Sequence, residues 1–491
     1  MSERLPANLT KTPRSHWIKL VVYLVLTIGI QLLPPLGPIT AEGMKVLGIF
    51  IGYLYAVIRL DSLIWPSLVT AFLIVSEGLV KSSAVIQGWL GNGTVVTMIG
   101  FLVLTYGITS SGAAQVIAKW ILTRKFTRGR PMLFTWVFLM SCLIVGVFLP
   151  PTANILFYMG MWDACMEALG YDPKDNYCRW MILSLSLACI FGCYAWPFKS
   201  MPVSIMAPLL SAFKTEVNVA KFVLYSYPMS ILMITGLVFL MKIFKANFEP
   251  LKNFDPDKVE ALRERQKLNT KQIILIIAFI IAVLYSFVPL LIPKGAFLTW
   301  FKSWSLSVWV LFVDAVLMII RIKGQPVLKL ETAFKEGIMW RIVAMIGIMS
   351  MMGNLLSDEQ YGIRTVMSNF LGSVFSGMSW PVFALLFTLA MVIITQFTNN
   401  TVLGIIVSTV MAPIVAQYVD SGIDFTAFLV LFCMASQPGF TTPAAYATVS
   451  IFLGGKVYDG DSSFLWKYAA PVIGVITVSF WIVIWLFGTI L

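Results

Sequence analysis

The residues best placed to do chemistry are Thr398, Asn399, Asn400 and Thr401, because they sit together inside a long and otherwise apolar run over 380–418. Unpaired amide and hydroxyl groups cost several kcal/mol in hydrocarbon, so they persist there where they line a cavity or bind something. An asparagine offers one carbonyl oxygen and two N–H donors, and so can serve a cation and an anion at once. If the four residues form the tip of a re-entrant hairpin, the second arm presents its helix N-terminus as well. The free N–H groups and positive dipole end found there suit a carboxylate. A plain polar turn, with Asn or Thr capping a helix, explains the residue types but not their depth in an apolar run.

Two proline-broken stretches extend this pattern. Trp196-Pro197-Phe198-Lys199-Ser200-Met201-Pro202 and Gln437-Pro438-Gly439-Phe440-Thr441-Thr442-Pro443 carry their outer prolines at the same spacing. Proline removes an N–H and leaves upstream carbonyls without intrahelical partners. Freed carbonyls with the hydroxyls of Thr441 and Thr442 make an oxygen cage suited to Na+, and Gly439 lets backbone approach closely. The Na+ candidates are Thr398, Asn400, Gly439 and Thr441. A second polar turn, Pro150-Pro151-Thr152-Ala153-Asn154, divides an earlier apolar stretch and adds Thr152 and Asn154. The substrate-binding candidates are therefore Thr152, Asn154, Lys199, Asn399, Asn400, Thr401, Thr441, Thr442 and Pro443. A lysine near the membrane midplane costs at least ~2.5 kcal/mol. Lys199 is open to three readings: a counter-ion for substrate, a substitute for a sodium ion, or a side chain that snorkels or pairs locally.

Such residues need elements that hold them in a membrane. The chain has 491 residues, 59% hydrophobic and 12% charged, and its apolar residues come in long, nearly uncharged runs such as Ile18–Leu33, Val46–Ile58 and Ile273–Pro293. Runs of about 17–25 such residues span a bilayer, and in lipid they must be helical. The alternating pattern of a membrane barrel is absent. The expected fold class is an all-α polytopic membrane protein with about eleven transmembrane helices and two re-entrant hairpins. The net charge of +12 lies in short loops, as the positive-inside rule requires, so no nucleic-acid partner is expected. No cleavable leader is evident, because residues 1–16 are polar and basic and no small-residue cleavage site follows the first apolar run. The six cysteines show no metal spacing, and the single histidine, His16, precedes the first helix.

The apolar runs divide the chain into a cytoplasmic N-terminal segment (1–16), a first half (17–244), a basic cytoplasmic linker (245–271) and a second half (272–491). The first half holds helix 1, a re-entrant hairpin over 132–168 and a broken helix over 179–212. The second repeats hairpin and break over 380–418 and 425–455. Met98-Ile99-Gly100 and Met345-Ile346-Gly347 mark corresponding helices. After helix 1, five crossings make each half, so the two halves are expected to insert with opposite orientation and to meet at a midplane site. The N-terminus is placed in the cytoplasm and the C-terminus outside, with the plasma (inner) membrane as the expected location. Asp314, isolated in the expected helix over about 304–320, is open to proton coupling or, more simply, to pairing with that helix's basic end at Arg321.

Hairpin, broken helix and repeat together resemble the divalent anion:sodium symporter family, which contains sodium–dicarboxylate, sodium–citrate and sodium–sulfate cotransporters. The resemblance covers roughly 40–491. Asn399-Asn400-Thr401 is similar to the family's Ser-Asn-Thr hairpin tip, and Pro438–Pro443 to its proline- and threonine-containing loop. The resemblance implies that Asn400 and Thr401 touch a substrate carboxylate, that the neighbouring loop holds Na+, and that a hairpin-bearing domain moves as an elevator against a scaffold, commonly within a homodimer. The first half departs from this pattern: Pro150-Pro151-Thr152 replaces the first Ser-Asn-Thr, and Lys199 stands where the family's backbone cradles a cation. The expected function is secondary transport of a di- or monocarboxylate or sulfate, coupled to Na+. The alternatives are a sodium-independent anion exchanger in which Lys199 replaces a cation, and a cation/proton antiporter of related fold. No enzymatic constellation or phosphate loop is found, and no enzyme activity is expected.

Overall fold

The computed structural model describes residues 14–60, 64–123, 127–253, 267–291, 295–367, 369, 377–443 and 445–488. Helix dominates, and among the described residues the sheet is one two-residue ladder, Arg321–Ile322 against Gln325–Pro326. The first half runs through α1 (Arg14–Leu24), α2 (Ala41–Arg59), α3 (Ile64–Ser76), α4 (Ser82–Leu90), α5 (Gly93–Ser110) and α6 (Ala113–Leu122). A hairpin of α7 (Pro131–Val145) and α8 (Pro151–Leu169) follows, then a helix broken into α9 (Asn176–Tyr194) and α10 (Ser200–Ala212), then α11 (Val219–Ile243). Caps fix several starts: Thr40 accepts from the Gly43 N–H, Asn92 from the Thr94 N–H and Asp175 from the Tyr177 N–H.

The second half runs through α12 (Thr270–Tyr285), α13 (Leu306–Ile319) and α14 (Trp340–Ser357). Its hairpin has α15 (Trp380–Ile394) as one arm and α16 (Asn400–Val410) with α17 (Ala412–Asp420) as the other. A broken segment of α18 (Phe425–Ala435) and α19 (Ala447–Leu453) precedes α20 (Ala469–Gly488). The outgoing arm bends by 57° between α16 and α17, where Pro413 lacks the N–H that would continue the ladder.

Among the described residues, five helices are long and apolar enough to cross a membrane, or seven if each bent pair is one span. The shorter apolar helices include the hairpin arms. Much of the outer surface suits lipid rather than water. Ile273, Ile277, Ile280, Ile281 and Leu284 on α12 and Val308, Leu311, Phe312 and Ile319 on α13 are exposed. A water-soluble monomer does not carry an apolar face of this extent. The chain is an integral, multi-pass, all-α membrane protein.

The interior is organised around α9, buried along nearly its whole length between α7, α8 and α11. Two packing relations position the site. The second arm of the first break, α10, lies along α14 and on α16 of the second hairpin, while α19 of the second break packs on α8 of the first hairpin. Each break thus leans on the other half's hairpin. The repeated Met-Ile-Gly triplets serve close contacts. A Cβ on Gly100 would lie 2.6 Å from a Val310 methyl, and one on Gly347 would overlap the Trp89 ring, whose Nε1–H donates to Ala344 O at 2.7 Å.

Three expectations are corrected here. Both outgoing hairpin arms begin earlier than their apolar runs suggested, so Thr152 and Thr401 occupy first helical turns rather than loops. Helix α4 has no counterpart among the expected elements. Asp314 does not pair with Arg321: the guanidinium donates to Gly324 O at 3.4 Å, and buried Asp314 Oδ1 has no partner among the described residues. Residues 1–13, Arg124 and Lys125 of the basic cluster, and 254–266 of the expected linker lie outside the described residues.

Candidate functional site

Both hairpin tips are short because each outgoing helix starts at once. Pro151 at the first turn of α8 has no N–H to satisfy and its fixed φ suits that position. In the second half Asn399 caps α16, its side-chain oxygen accepting from the Val402 N–H at 3.2 Å. The two N-termini, α8 and α16, open onto one cavity of about 510 Å³. Its polar lining includes Thr152, Lys199, Ser200, Asn399, Asn400 and Thr401, and its walls include Leu102, Phe148, Met201, Met339 and Tyr446. The stretches around Thr152 and Asn400, far apart in sequence, therefore share one pocket. It reaches the protein surface at exposed Glu336.

The two halves close this pocket differently. In the first, Lys199 Nζ donates to Gly146 O at 2.7 Å and to Leu149 O at 2.6 Å, both in the turn that follows α7. The last carbonyls of a helix lack intrahelical donors, and the dipole makes that end attractive to a cation. Other side chains complete the turn: Thr109 Oγ1 donates to Phe148 O at 3.2 Å, and Asn154 Nδ2 to Cys142 O at 3.1 Å.

In the second half the link is neutral. Gln396 Nε2 donates to Pro438 O at 2.8 Å, while its Oε1 accepts from Phe440 N, Thr441 N and Thr441 Oγ1 at 3.0, 3.2 and 3.1 Å. Thr442 Oγ1 donates to Gln396 O at 2.5 Å. Beside this, Thr395 Oγ1 donates to Asn400 Oδ1 at 2.6 Å, and Asn400 Nδ2 donates to Gln437 O at 2.5 Å. Gly439 is pressed into the same cluster: a Cβ there would stand 2.8 Å from Thr395 O and 3.0 Å from Asn400 Oδ1. Gln437 Oε1 is buried with no donor among the described residues. Clustered oxygens and one buried acceptor without a donor fit a small hard cation held by Thr395, Asn400 and Gln437.

The expected residues thus separate into two groups. Thr152, Lys199, Asn399, Asn400 and Thr401 face the cavity. Thr441 and Thr442 are spent on Gln396, exposed Pro443 and Gly439 lie off the cavity lining, and Asn154 turns inward to Cys142. Thr398 is exposed and donates to Ile394 O at 3.2 Å. Asn400 faces the cavity but has both ends of its amide committed, so the freer polar groups at that tip are Asn399 and Thr401. Among the described residues Thr401 Oγ1 makes only long contacts, 3.4 Å to Tyr194 OH and 3.6 Å to Met201 Sδ.

Sequence reasoning missed Thr395 and Gln396, although both interrupt the same apolar run as Thr398 and the same argument reaches them. It also missed Tyr106 and Glu336. Tyr106 OH donates to Glu336 Oε2 at 2.6 Å at the cavity's edge. Gly337 permits this, since a Cβ there would lie 2.8 Å from Tyr106 Cβ. That contact joins positions 230 residues apart, and no local pattern announces it.

No family model and no curated protein matches the sequence significantly. Solved structures do match in fold. MtrF of Neisseria gonorrhoeae, whose structure is described as illuminating a class of antimetabolite efflux pumps, superposes with a TM-score of 0.53 at 12% identity, over 96% of this chain and 95% of its own. The YdaH transporter of Alcanivorax borkumensis, described as having an unusual topology, gives 0.52 at 11% identity, over 82% and 86%. The chain therefore has the fold of polytopic membrane transporters.

Proposed function

We propose that the chain is a secondary transporter that carries a small organic anion, with a carboxylate held between the tips of the two hairpins. The observation that carries this reading is the shared cavity, with two helix N-termini, the hydroxyls of Thr152 and Thr401, the amide of Asn399 and the Lys199 ammonium on its wall. Each of these groups donates hydrogen bonds or positive potential, and together they favour an anion. Apolar walls at Leu102, Phe148 and Met339 suit the carbon body of an organic acid better than a bare inorganic anion.

The resemblance to divalent anion:sodium symporters supplies the rest of the reading. Na+ is bound by the second half at Thr395, Asn400 and Gln437, near Gly439. The hairpins and breaks move together against the remaining helices in an elevator step, and the protein acts as a homodimer in the plasma (inner) membrane. The absence of an acidic residue in either break, read from the sequence, weighs against a cation antiporter.

The test is uptake by the purified full-length chain in proteoliposomes against succinate, citrate, benzoate, lactate and sulfate, with and without an inward Na+ gradient. Efflux is measured beside uptake, because MtrF is described within a class of efflux pumps. Accumulation of at least one carboxylate above empty liposomes, driven by the Na+ gradient, is expected. Carboxylate transport without Na+ dependence would remove the coupling, and no transport of any anion in either direction would remove the carrier reading.

A further inference from the structure

Aligning Thr152 with Thr401 places Gly146 opposite Thr395, each six residues upstream of its threonine. At these matched positions the two halves present a backbone carbonyl to the break of their own half. In the second half that carbonyl, Thr395 O, stands among Asn400 Oδ1 and the backbone of Gly439, and residues 437–443 contain no basic side chain. In the first half the matched carbonyl, Gly146 O, receives an ammonium, and the same ammonium holds Leu149 O. Lys199 is only 6% exposed, and no carboxylate among the described residues is within ion-pair reach of it.

A buried lysine normally needs an acid to offset its desolvation. This one has instead the carbonyl end of α7, an arrangement that serves a metal cation equally well: converging oxygens, a helix C-terminus and no anion of the protein's own. Cys193 lies beside the ammonium and also lines the cavity. The ammonium has three donors, of which the two carbonyls take two.

We infer that Lys199 is a tethered cation filling a first-half cation site, so that cutting the side chain back opens that site to a small soluble cation. The first half then carries its positive charge covalently and the second half draws its own from solution. The consequence for coupling, one soluble cation fewer than two equivalent sites would need, rests on the carrier reading above; the cation site itself does not.

The experiment measures thermal unfolding of the detergent-purified full-length chain in matched choline, sodium and methylammonium chlorides. Lys199→Ala empties the site, whereas Lys199→Met removes the charge but keeps a stem that occupies the space. In choline, both variants are expected to melt several degrees below wild type. Sodium or methylammonium should restore most of that loss in Lys199→Ala and little of it in Lys199→Met. Wild type sets the baseline for the second-half site in each salt. If Lys199→Ala melts like wild type in choline, or if its deficit is the same in all three salts, the inference is overturned. A Lys199→Met variant restored as fully as Lys199→Ala would also overturn it. Should Lys199→Ala yield no folded protein in choline, purification in sodium or methylammonium replaces the first arm: recovery there supports the inference and continued failure rejects it. None of these readings uses transport, so failure of the carrier reading in the uptake assay remains a separate result.

Discussion

The two halves build one pocket from the same parts and lock it with opposite chemistry. In the first, the link runs from break to hairpin and is a charge: Lys199 reaches Gly146 O and Leu149 O. In the second, the link runs from hairpin to break and is a neutral amide: Gln396 meets Pro438, Phe440 and Thr441. Even the matched glycines diverge, Gly100 facing Val310 and Asp314 where Gly347 faces the Trp89 ring. The architecture constrains where a break must be clasped to a hairpin, but not what clasps it. The clasp is therefore free to carry function, and the charge differs there.

The comparison breaks most severely at Gln396. Gln396→Leu strands Phe440 N, Thr441 N and Pro438 O in a buried loop, at about 1–3 kcal/mol for each unsatisfied group. Loss of monodisperse folded protein in detergent is expected, measured by size-exclusion chromatography. Normal yield and melting would show that the neutral clasp does not hold the second break. A smaller effect is expected at Thr401, whose hydroxyl makes only long contacts among the described residues and, on the proposed reading, is available to substrate. Thr401→Val should leave the melting temperature nearly unchanged and lower transport of the best anion about tenfold, roughly 1.4 kcal/mol of binding. Equal loss of stability and transport would assign Thr401 to packing instead.

Glu336 sharpens the contrast from the other side, since the second half puts a carboxylate at the mouth of a pocket that the first half makes positive. Glu336→Gln keeps an acceptor for Tyr106 OH and removes the repulsion, so the KM for an anion should fall about two- to threefold, most at low salt. The smallest effect is expected at Asp314. Replacing a buried acid that has one unpartnered oxygen by Val should raise stability by about 1 kcal/mol or less, read as a small upward shift in melting. A marked loss of transport in that variant would give Asp314 a role in coupling.

Much of this was legible in the sequence, for a physical reason. Polar groups at membrane depth and prolines inside apolar helices are costly, so Thr152, Lys199, Asn399, Asn400 and Thr401 stood out and the fold brings them to one cavity. What stayed hidden depends on direction rather than cost. Asn154 and Thr441 are as polar as their neighbours, yet they turn to Cys142 and Gln396, because a residue two positions further along a helix points to the opposite face and a loop residue clasped by an amide points to its clasp. Asp314 was expected to reach Arg321 along its own helix, whereas it faces Gly100 of α5 across a helix–helix contact. Glu336 enters the pocket from a π-helical turn, Ala333–Gly337, that packs against Tyr106, and sequence spacing carries no information about such a contact.

The most direct test of the shared pocket is cross-linking between single cysteines introduced at Thr152 and Thr401, in the full-length chain with its native cysteines replaced, using a short bifunctional thiosulfonate. The Thr152/Thr401 pair is expected to cross-link in the folded protein, while a Thr152/Thr398 pair is not, because Thr398 lies off the cavity lining. Failure of the first pair, or equal reaction of both, would contradict the meeting of the two hairpin tips in one solvent-reached cavity.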